Sequence, residues 1–344
     1  MKRTLALVLM LGILLGTCTT ALAIETYKAE LQQSRIMVAV PDNWNKNLLI
    51  LAHGYRPEDA PLYADFSVDE SYFKTLLDAG WLIASTSYRK NGLIIDEAVD
   101  DLNLLREYII KKYGRPDMIF VDGRSMGGSI GIILSERYHD KYDGILSIDP
   151  AIKEWLHVNY KPLVPIIFLC NRDEAPPVRD YLEKVNKDAV KPGLWIVRRD
   201  GHVNVNNDEE LAALKAVVEY SHNRPVEMSK TFIIDYRYRP SGAIFNGSSA
   251  SAKVMAINPE WGNIDTGFVY PDLEKLGISK GARFTVQFKE KRFKVMMAGT
   301  YDDVPKGEWV AFLTPEGFLR IARNLDSAVK LLGCKPGDNI LIRK

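Results

Sequence analysis

The sequence predicts an α/β chain: a mainly parallel sheet with helices on both faces, followed by a small β-barrel. Three observations predict it. From about residue 28 to 222, short apolar runs alternate with amphipathic helical stretches, the pattern of a parallel sheet covered on both faces. Beyond Asn223-Arg224-Pro225 the chain turns to short alternating segments punctuated by Gly and Pro, which is β-rich patterning. The composition is 47% hydrophobic and 26% charged over 344 residues, an ordinary globular mixture with length for two cores.

The elements follow in order. Residues 1–23 carry a positive start at Lys2 and Arg3, an apolar run from Leu5 to Leu15, and Ala21-Leu22-Ala23 as an A-x-A cleavage site. These are the three parts of a secretory signal peptide, and the run is too short to span about 30 Å of hydrocarbon. The mature protein is expected to be secreted or periplasmic. Cys18, preceded by Thr17, makes a poorer lipoprotein site. Strands are expected at Asn47–Ala52, Trp81–Ser87, Asp117–Asp122, Gly144–Ile148, Val164–Cys170 and Leu194–Val197. Ile95, Val99, Leu102, Leu105 and Ile109 step by three or four and mark one helix face. Met126–Tyr138, Val178–Val185 and Asp208–Tyr220 are the other expected helices. In the second module, strands are expected at Lys230–Tyr236, Arg283–Lys289, Phe293–Gly299, Trp309–Thr314 and Asn339–Ile342, with a helical stretch at Asn324–Leu332. The domains read as 24–224 and 225–344, with the boundary at 223–229. Three cysteines are too few for a disulfide scaffold. Cys170 and Cys334 have the option of pairing in an oxidising compartment.

Lys+Arg numbers 45 against Asp+Glu 44. A nucleic-acid partner is therefore not expected, since gripping a phosphate backbone needs a concentrated basic surface. No segment after the leader is long and apolar enough for a membrane span. The histidines and cysteines show no ligand spacing, so no metal is expected; no cofactor is expected either.

Residues 117–134 read DMIFVDGRSMGGSIGIIL. An apolar strand runs into Gly123-Arg124-Ser125-Met126-Gly127 and then into a helix. G-x-S-x-G is weak alone, but a strand before and a helix after form the strained turn that lifts a serine hydroxyl above a sheet. Ser125 is the candidate nucleophile. The strand Asn47–Ala52 ends in His53-Gly54-Tyr55, a turn able to aim a backbone N–H at an oxyanion. The donors are assigned to the N–H groups of Tyr55 and Met126, with His53 holding the loop. His202 is the candidate base, because it follows a late strand and precedes the last helix of the domain. The acid is assigned to Asp173 in the loop Asn171-Arg172-Asp173-Glu174, with Glu174 second and Asp149 third.

In this order His53-Gly54-Tyr55, Gly123-Arg124-Ser125-Met126-Gly127, Asp173 and His202 resemble the α/β-hydrolase superfamily over about residues 28–222, closest to secreted esterases and prolyl-oligopeptidase-type hydrolases. The resemblance implies acyl transfer to Ser125 and hydrolysis of the acyl-enzyme by water. It leaves a small-molecule ester or a peptide as the substrate, with a carboxylesterase first and a peptidase second. Only 48 positions separate Ser125 from Asp173, which leaves no room for the helical cap of many relatives. The pocket is expected to be open unless the C-terminal module covers it. Tyr55 to Tyr63, Tyr88-Arg89-Lys90 and Ala151 to His157 are the expected lining. Arg89 and Lys90 read as either anion-binding or solvated charges.

Residues 255–344 resemble the C-terminal domain of the S-adenosylmethionine hydroxide adenosyltransferase and fluorinase family. Trp261-Gly262-Asn263, the stretch from Thr300 to Glu308, and Gly317 to Ala328 carry the resemblance. It implies a β-barrel that helps bind adenine at a contact between subunits of a trimer. Asn263, Arg323 and Asn324 fall at the positions linked to that role. Pro315-Glu316 departs from a Ser-Arg pair that holds the methionine carboxylate in some relatives. An acid there would repel that carboxylate, which argues against S-adenosylmethionine chemistry. A nucleoside pocket, a homotrimer contact and a lid over the hydrolase site are the three roles left open for the barrel.

Overall fold

The computed structural model describes residues 23–344, apart from residues 65, 235, 238 and 260. The signal-peptide reading and Cys18 lie outside the described residues. Nine strands form the first sheet: β1 (Ile24–Leu31), β2 (Ser34–Pro41), β3 (Asn47–Ala52), β4 (Leu82–Thr86), β5 (Met118–Arg124), β6 (Gly144–Ile148), β7 (Ile166–Asn171), β8 (Gly193–Val197) and β9 (Ser229–Phe232). Their spatial order is β1-β2-β4-β3-β5-β6-β7-β8-β9. The first two strands join antiparallel; from β4 to β9 every neighbour is parallel. This is the expected α/β-hydrolase sandwich.

The helices are α1 (Ser71–Asp78), α2 (Ile95–Tyr113), α3 (Met126–Arg137), α4 (Ala175–Lys184) and α5 (Asn207–Ser221). The central strands are continuously apolar because both their faces are buried. In β7, Ile166, Phe168 and Cys170 point into the core shared with α2, α3 and α4, while Ile167 and Leu169 point into the core shared with α1 and α5. All five are fully buried, each worth about 1.5–3 kcal/mol against exposure for the large apolar side chains.

The second sheet is a closed barrel. Its strands are β10 (Ile244–Asn246), β11 (Ser249–Ile257), β12 (Ile264–Val269), β13 (Arg283–Phe288), β14 (Lys291–Met297), β15 (Trp309–Leu313), β16 (Phe318–Arg323) and β17 (Asn339–Arg343), with short helices α6 (Tyr270–Lys275) and α7 (Ala328–Leu332). The order β11-β12-β16-β15-β14-β13-β17 closes where Ser249–Lys253 pairs with Asn339–Arg343, and β10 lies outside the ring on β11. Closure leaves the ring strands without free edges. Phe268, Phe284, Ile321 and Ile342 fill its interior.

One expectation is corrected here and one open option is closed. The segment from Lys230 was assigned to the second module, but β9 pairs in parallel with β8, Leu194 opposite Ser229 through Val197 opposite Phe232. The hydrolase sheet therefore runs past the expected boundary, to Phe232. Cys170 and Cys334 are both free and buried, one in each core, so they form no disulfide.

Candidate active site

The carboxyl ends of β3, β5, β6, β7 and β8 converge on one edge of the sheet. β5 ends at Ser125, whose backbone is held at φ 56° and ψ −118°, a conformation that costs about 1–3 kcal/mol in a non-glycine residue. Its N–H donates to Ile148 O at 2.9 Å, and its carbonyl accepts from Ser129 N at 3.1 Å. Glycine makes the bend sterically feasible. A Cβ on Gly123 would sit inside the Gly127 carbonyl, and one on Gly127 inside the Ala52 carbonyl.

His202 hangs from the loop after β8. Its Nε2 lies 2.8 Å from Ser125 Oγ and its Nδ1 lies 3.2 Å from Glu174 Oε1. A carboxylate only accepts, so Nδ1 carries the proton and Nε2 is left to accept from the serine hydroxyl. Burial, the largest influence, pulls the His202 imidazole toward neutrality. The carboxylates of Glu174 and Asp149 outweigh it, and the balance holds His202 above its ordinary value. Glu174 is held below the usual carboxylate range: burial opposes this, but His202, Thr300 and Lys153 together prevail.

The acid expected to meet His202, Asp173, does not do so. Its carboxylate turns outward to Lys280 of the barrel, with Arg172 at 3.8 Å. Glu174, the second choice, takes the place instead. The cause is local. α4 starts at Ala175, with Pro176 in its first turn, so Glu174 is the N-cap residue, and Asp173 lies one residue further out with its carboxylate on Lys280. Counting back from the Ala175-Pro176-Pro177 helix start is the signal that would have separated the two.

Asp149, the third choice, is fully buried beneath the same loop, with φ 42°. Its two oxygens accept from Asn171 N at 2.7 Å and from Val203 N at 2.6 Å. Val203 follows His202 and has φ 52°, so Asp149 fixes the strained backbone that carries the imidazole. Burial pushes the Asp149 carboxyl up to about 7, against the pull of His202. Arg199 braces the loop from the other side. It is buried, pairs with Glu209 through two nitrogens, and donates to Asn204 O and Tyr236 Oη.

Gly54 stands directly over the nucleophile: a Cβ there would approach Ser125 Cβ to 3.2 Å. Tyr55 lines the cavity beside Ser125, and Met126 opens α3, so its N–H is among the first-turn amides with no helical acceptor. His53 holds the turn. Its Nδ1 lies 2.7 Å from Gly54 O, its ring stacks on Tyr88 at 4.0 Å, and burial pushes it down to about 3.

The site is not open. A cavity of about 770 Å³ has one wall from the hydrolase (Tyr55, Ser125, Lys153, Glu174, His202) and the other from the barrel (Trp261, Asn263, Thr300, Tyr301, Arg323, Asn324). The barrel takes the place of the missing cap. Asn263, Arg323 and Asn324 thus share one cavity with Ser125, but their donors serve the barrel itself. Asn263 Nδ2 donates to Tyr301 Oη at 2.8 Å, Asn324 Nδ2 to Val304 O at 2.8 Å, and Arg323 Nε to Gly307 O at 2.9 Å. Arg89 and Lys90 are engaged with Asp101 and Glu97 and do not line the cavity. Across the seam, Lys153 Nζ lies 3.1 Å from Asp302, Asn204 Nδ2 donates to Leu313 O at 2.7 Å, and Gly201 N donates to Gly299 O. None of these cross-domain contacts was expected from sequence.

Residues 252–341 match the family model of the SAM hydroxide adenosyltransferase C-terminal domain. No curated protein matches the chain. Among solved structures, an uncharacterized conserved protein from Thermotoga maritima is similar over 40% of this chain at 25% identity, with a TM-score of 0.29; the match takes in 50% of that protein's length. An esterase from Pyrococcus furiosus is similar at 16% identity over 58% of this chain and 90% of its own, with a TM-score of 0.45. An S-formylglutathione hydrolase from Staphylococcus aureus is similar at 14% identity over 58% and 96%, with a TM-score of 0.40.

Proposed function

We propose that the protein is a serine hydrolase of the esterase kind, exported from the cytoplasm, that cleaves a small-molecule ester through an acyl-enzyme. The observation that carries this reading is the continuous relay from Ser125 Oγ through His202 to Glu174, mounted on a strained strand-to-helix turn. Ser125 Oγ attacks the ester carbonyl while His202 Nε2 takes its proton. Glu174 keeps the ring oriented and offsets the charge that the imidazole gains. The oxyanion is received by the N–H groups of Tyr55 and Met126. The tetrahedral intermediate collapses as His202 returns the proton to the leaving alcohol. Water, activated by His202 in the same way, then releases the acid.

The covered cavity favours a small ester over a polypeptide, since a chain threading past Ser125 would meet the barrel wall. A second reading, that the barrel face holds a nucleoside-bearing ligand, is favoured by the placement of Asn263, Arg323 and Asn324 on that same cavity. Thermal stabilisation by adenosine or S-adenosylmethionine would support it, and a flat response would remove it.

The primary test is hydrolysis of short-chain p-nitrophenyl esters by the protein beside its Ser125→Ala variant. Loss of kcat by about 1,000-fold or more is expected. Equal activity in both proteins would sink the nucleophile assignment.

A further inference from the structure

We infer that the barrel supplies a working part of the hydrolytic centre: Thr300 is a positioning residue for Glu174. The inference rests on the serine-hydrolase reading and deepens it. Thr300 Oγ1 donates to Glu174 Oε1, the same oxygen that faces His202 Nδ1. A carboxylate held by histidine alone can rotate about its last bond. A second donor, fixed from the opposite domain, removes that freedom.

Thr300 is itself held in place. The Asp303 carboxylate accepts from Gly299 N at 2.7 Å and from Thr300 N at 3.2 Å, so the 299–303 turn is closed on itself before it meets the hydrolase. Gly299 is needed for the approach. Its carbonyl accepts from Gly201 N in the His202 loop, and a Cβ on it would run into the Asp173 carboxylate and the Lys280 side chain. Lys280 in turn ties Asp173 and Asp200, which flank Glu174 and His202 in sequence. The barrel therefore touches both loops that carry the relay, and it touches the acid through the Thr300 hydroxyl. Thr300 meets no reacting atom; its influence passes through Glu174.

The test is a comparison of Thr300→Val, Thr300→Ala and Thr300→Ser in the full chain, with a short-chain p-nitrophenyl ester. Valine keeps the shape and loses the hydroxyl; serine keeps the hydroxyl and loses the methyl. About a tenfold fall in kcat is expected for valine and alanine, with KM held within twofold, and recovery to near the parent value for serine. The acid limb of kcat/KM should move to higher pH in the valine variant, because a carboxylate that shares its charge with one donor fewer holds the imidazolium more firmly. Valine and alanine variants within twofold of the parent would overturn the inference, and so would a serine variant as slow as valine. If one hydroxyl-free variant fails to fold, the other carries the test. The His202 titration followed by NMR needs no substrate. A shift between parent and valine variant supports the role of Thr300 even if the ester reading fails, and identical titrations overturn it.

Discussion

The two walls of the cavity are built on opposite plans. On the hydrolase side the backbone is bent: Ser125, Asp149 and Val203 all hold positive φ within the site. On the barrel side the side chains are bound to one another. Arg320 grips Asp265 through two nitrogens, Arg323 meets Asp326, and Asn263 meets Tyr301, while among the described non-glycine residues only Leu325 of that wall has positive φ. Backbone strain persists only where the surroundings over-determine it, and here the two cores of the sheet do so. A wall of mutually satisfied side chains presents a fixed surface. The difference teaches that the first domain shapes its side of the cavity chiefly by bending the main chain, and the barrel chiefly by pairing side chains.

That contrast is open to direct attack. The largest effect is expected at the acid. Glu174→Gln should lower kcat by about 1,000- to 10,000-fold through the wrong imidazole tautomer, whereas Asp173→Asn should stay within about threefold; steady-state kinetics of the pair decides which carboxylate serves His202. Next is the bend itself. Gly127→Ala forces a methyl into the Ala52 carbonyl and should cost about 3 kcal/mol or more in a urea melt. Asp149→Asn leaves one of two backbone N–H groups without its acceptor and should cost about 1–3 kcal/mol by the same measurement.

The pH profile sharpens the comparison further. His202 is held above its ordinary value of 6.5, and only the neutral ring accepts the serine proton. Activity should be present at high pH and lost as the pH falls through that raised value, with the acid limb of kcat/KM above 6.5. A limb below 6.5 would show that burial outweighs the carboxylates around the ring. The smallest effect belongs to the seam's outer pair. Lys153 and Asp302 are both more than half exposed, and Lys153→Ala should change stability by no more than about 0.5 kcal/mol.

How much of this could be read in advance follows from the physics of each part. The central strands and α3 were readable as apolar runs of fitting length, because they are buried on every side, and α2 because burial of one face writes a 3.6-residue period into it. The hairpin of β1 and β2 was not, because β1 exposes Glu25, Thr26, Lys28 and Glu30 and has a neighbour on one side only. The α1 helix is eight residues long and its first turn has no side-chain cap. In the barrel, β11 reads SASAKVMAI, too rich in small residues to announce a strand, and β9 is a four-residue edge strand whose polar sequence disguises its sheet. At the site, Ser125 and His202 were fixed by their positions after strands. The acid was placed one residue early because two adjacent carboxylates differ only in which side of a helix start they face. The barrel wall lay beyond reach, since no local pattern encodes what a distant segment will touch.

The contact between Thr300 and Glu174 joins residues 126 positions apart, and this has a consequence in time. A chain emerging from the ribosome at about 5–20 residues per second folds its N-terminal domain first. Roughly 6–25 s of synthesis therefore separate the appearance of Glu174 from that of the hydroxyl that holds it. Once His202 has followed Glu174, the serine, the histidine and the acid all exist in one nascent chain, yet the hydroxyl of Thr300 does not. The candidate site is thus assembled in chain order, with the hydroxyl on Glu174 delivered by the last quarter of the polypeptide.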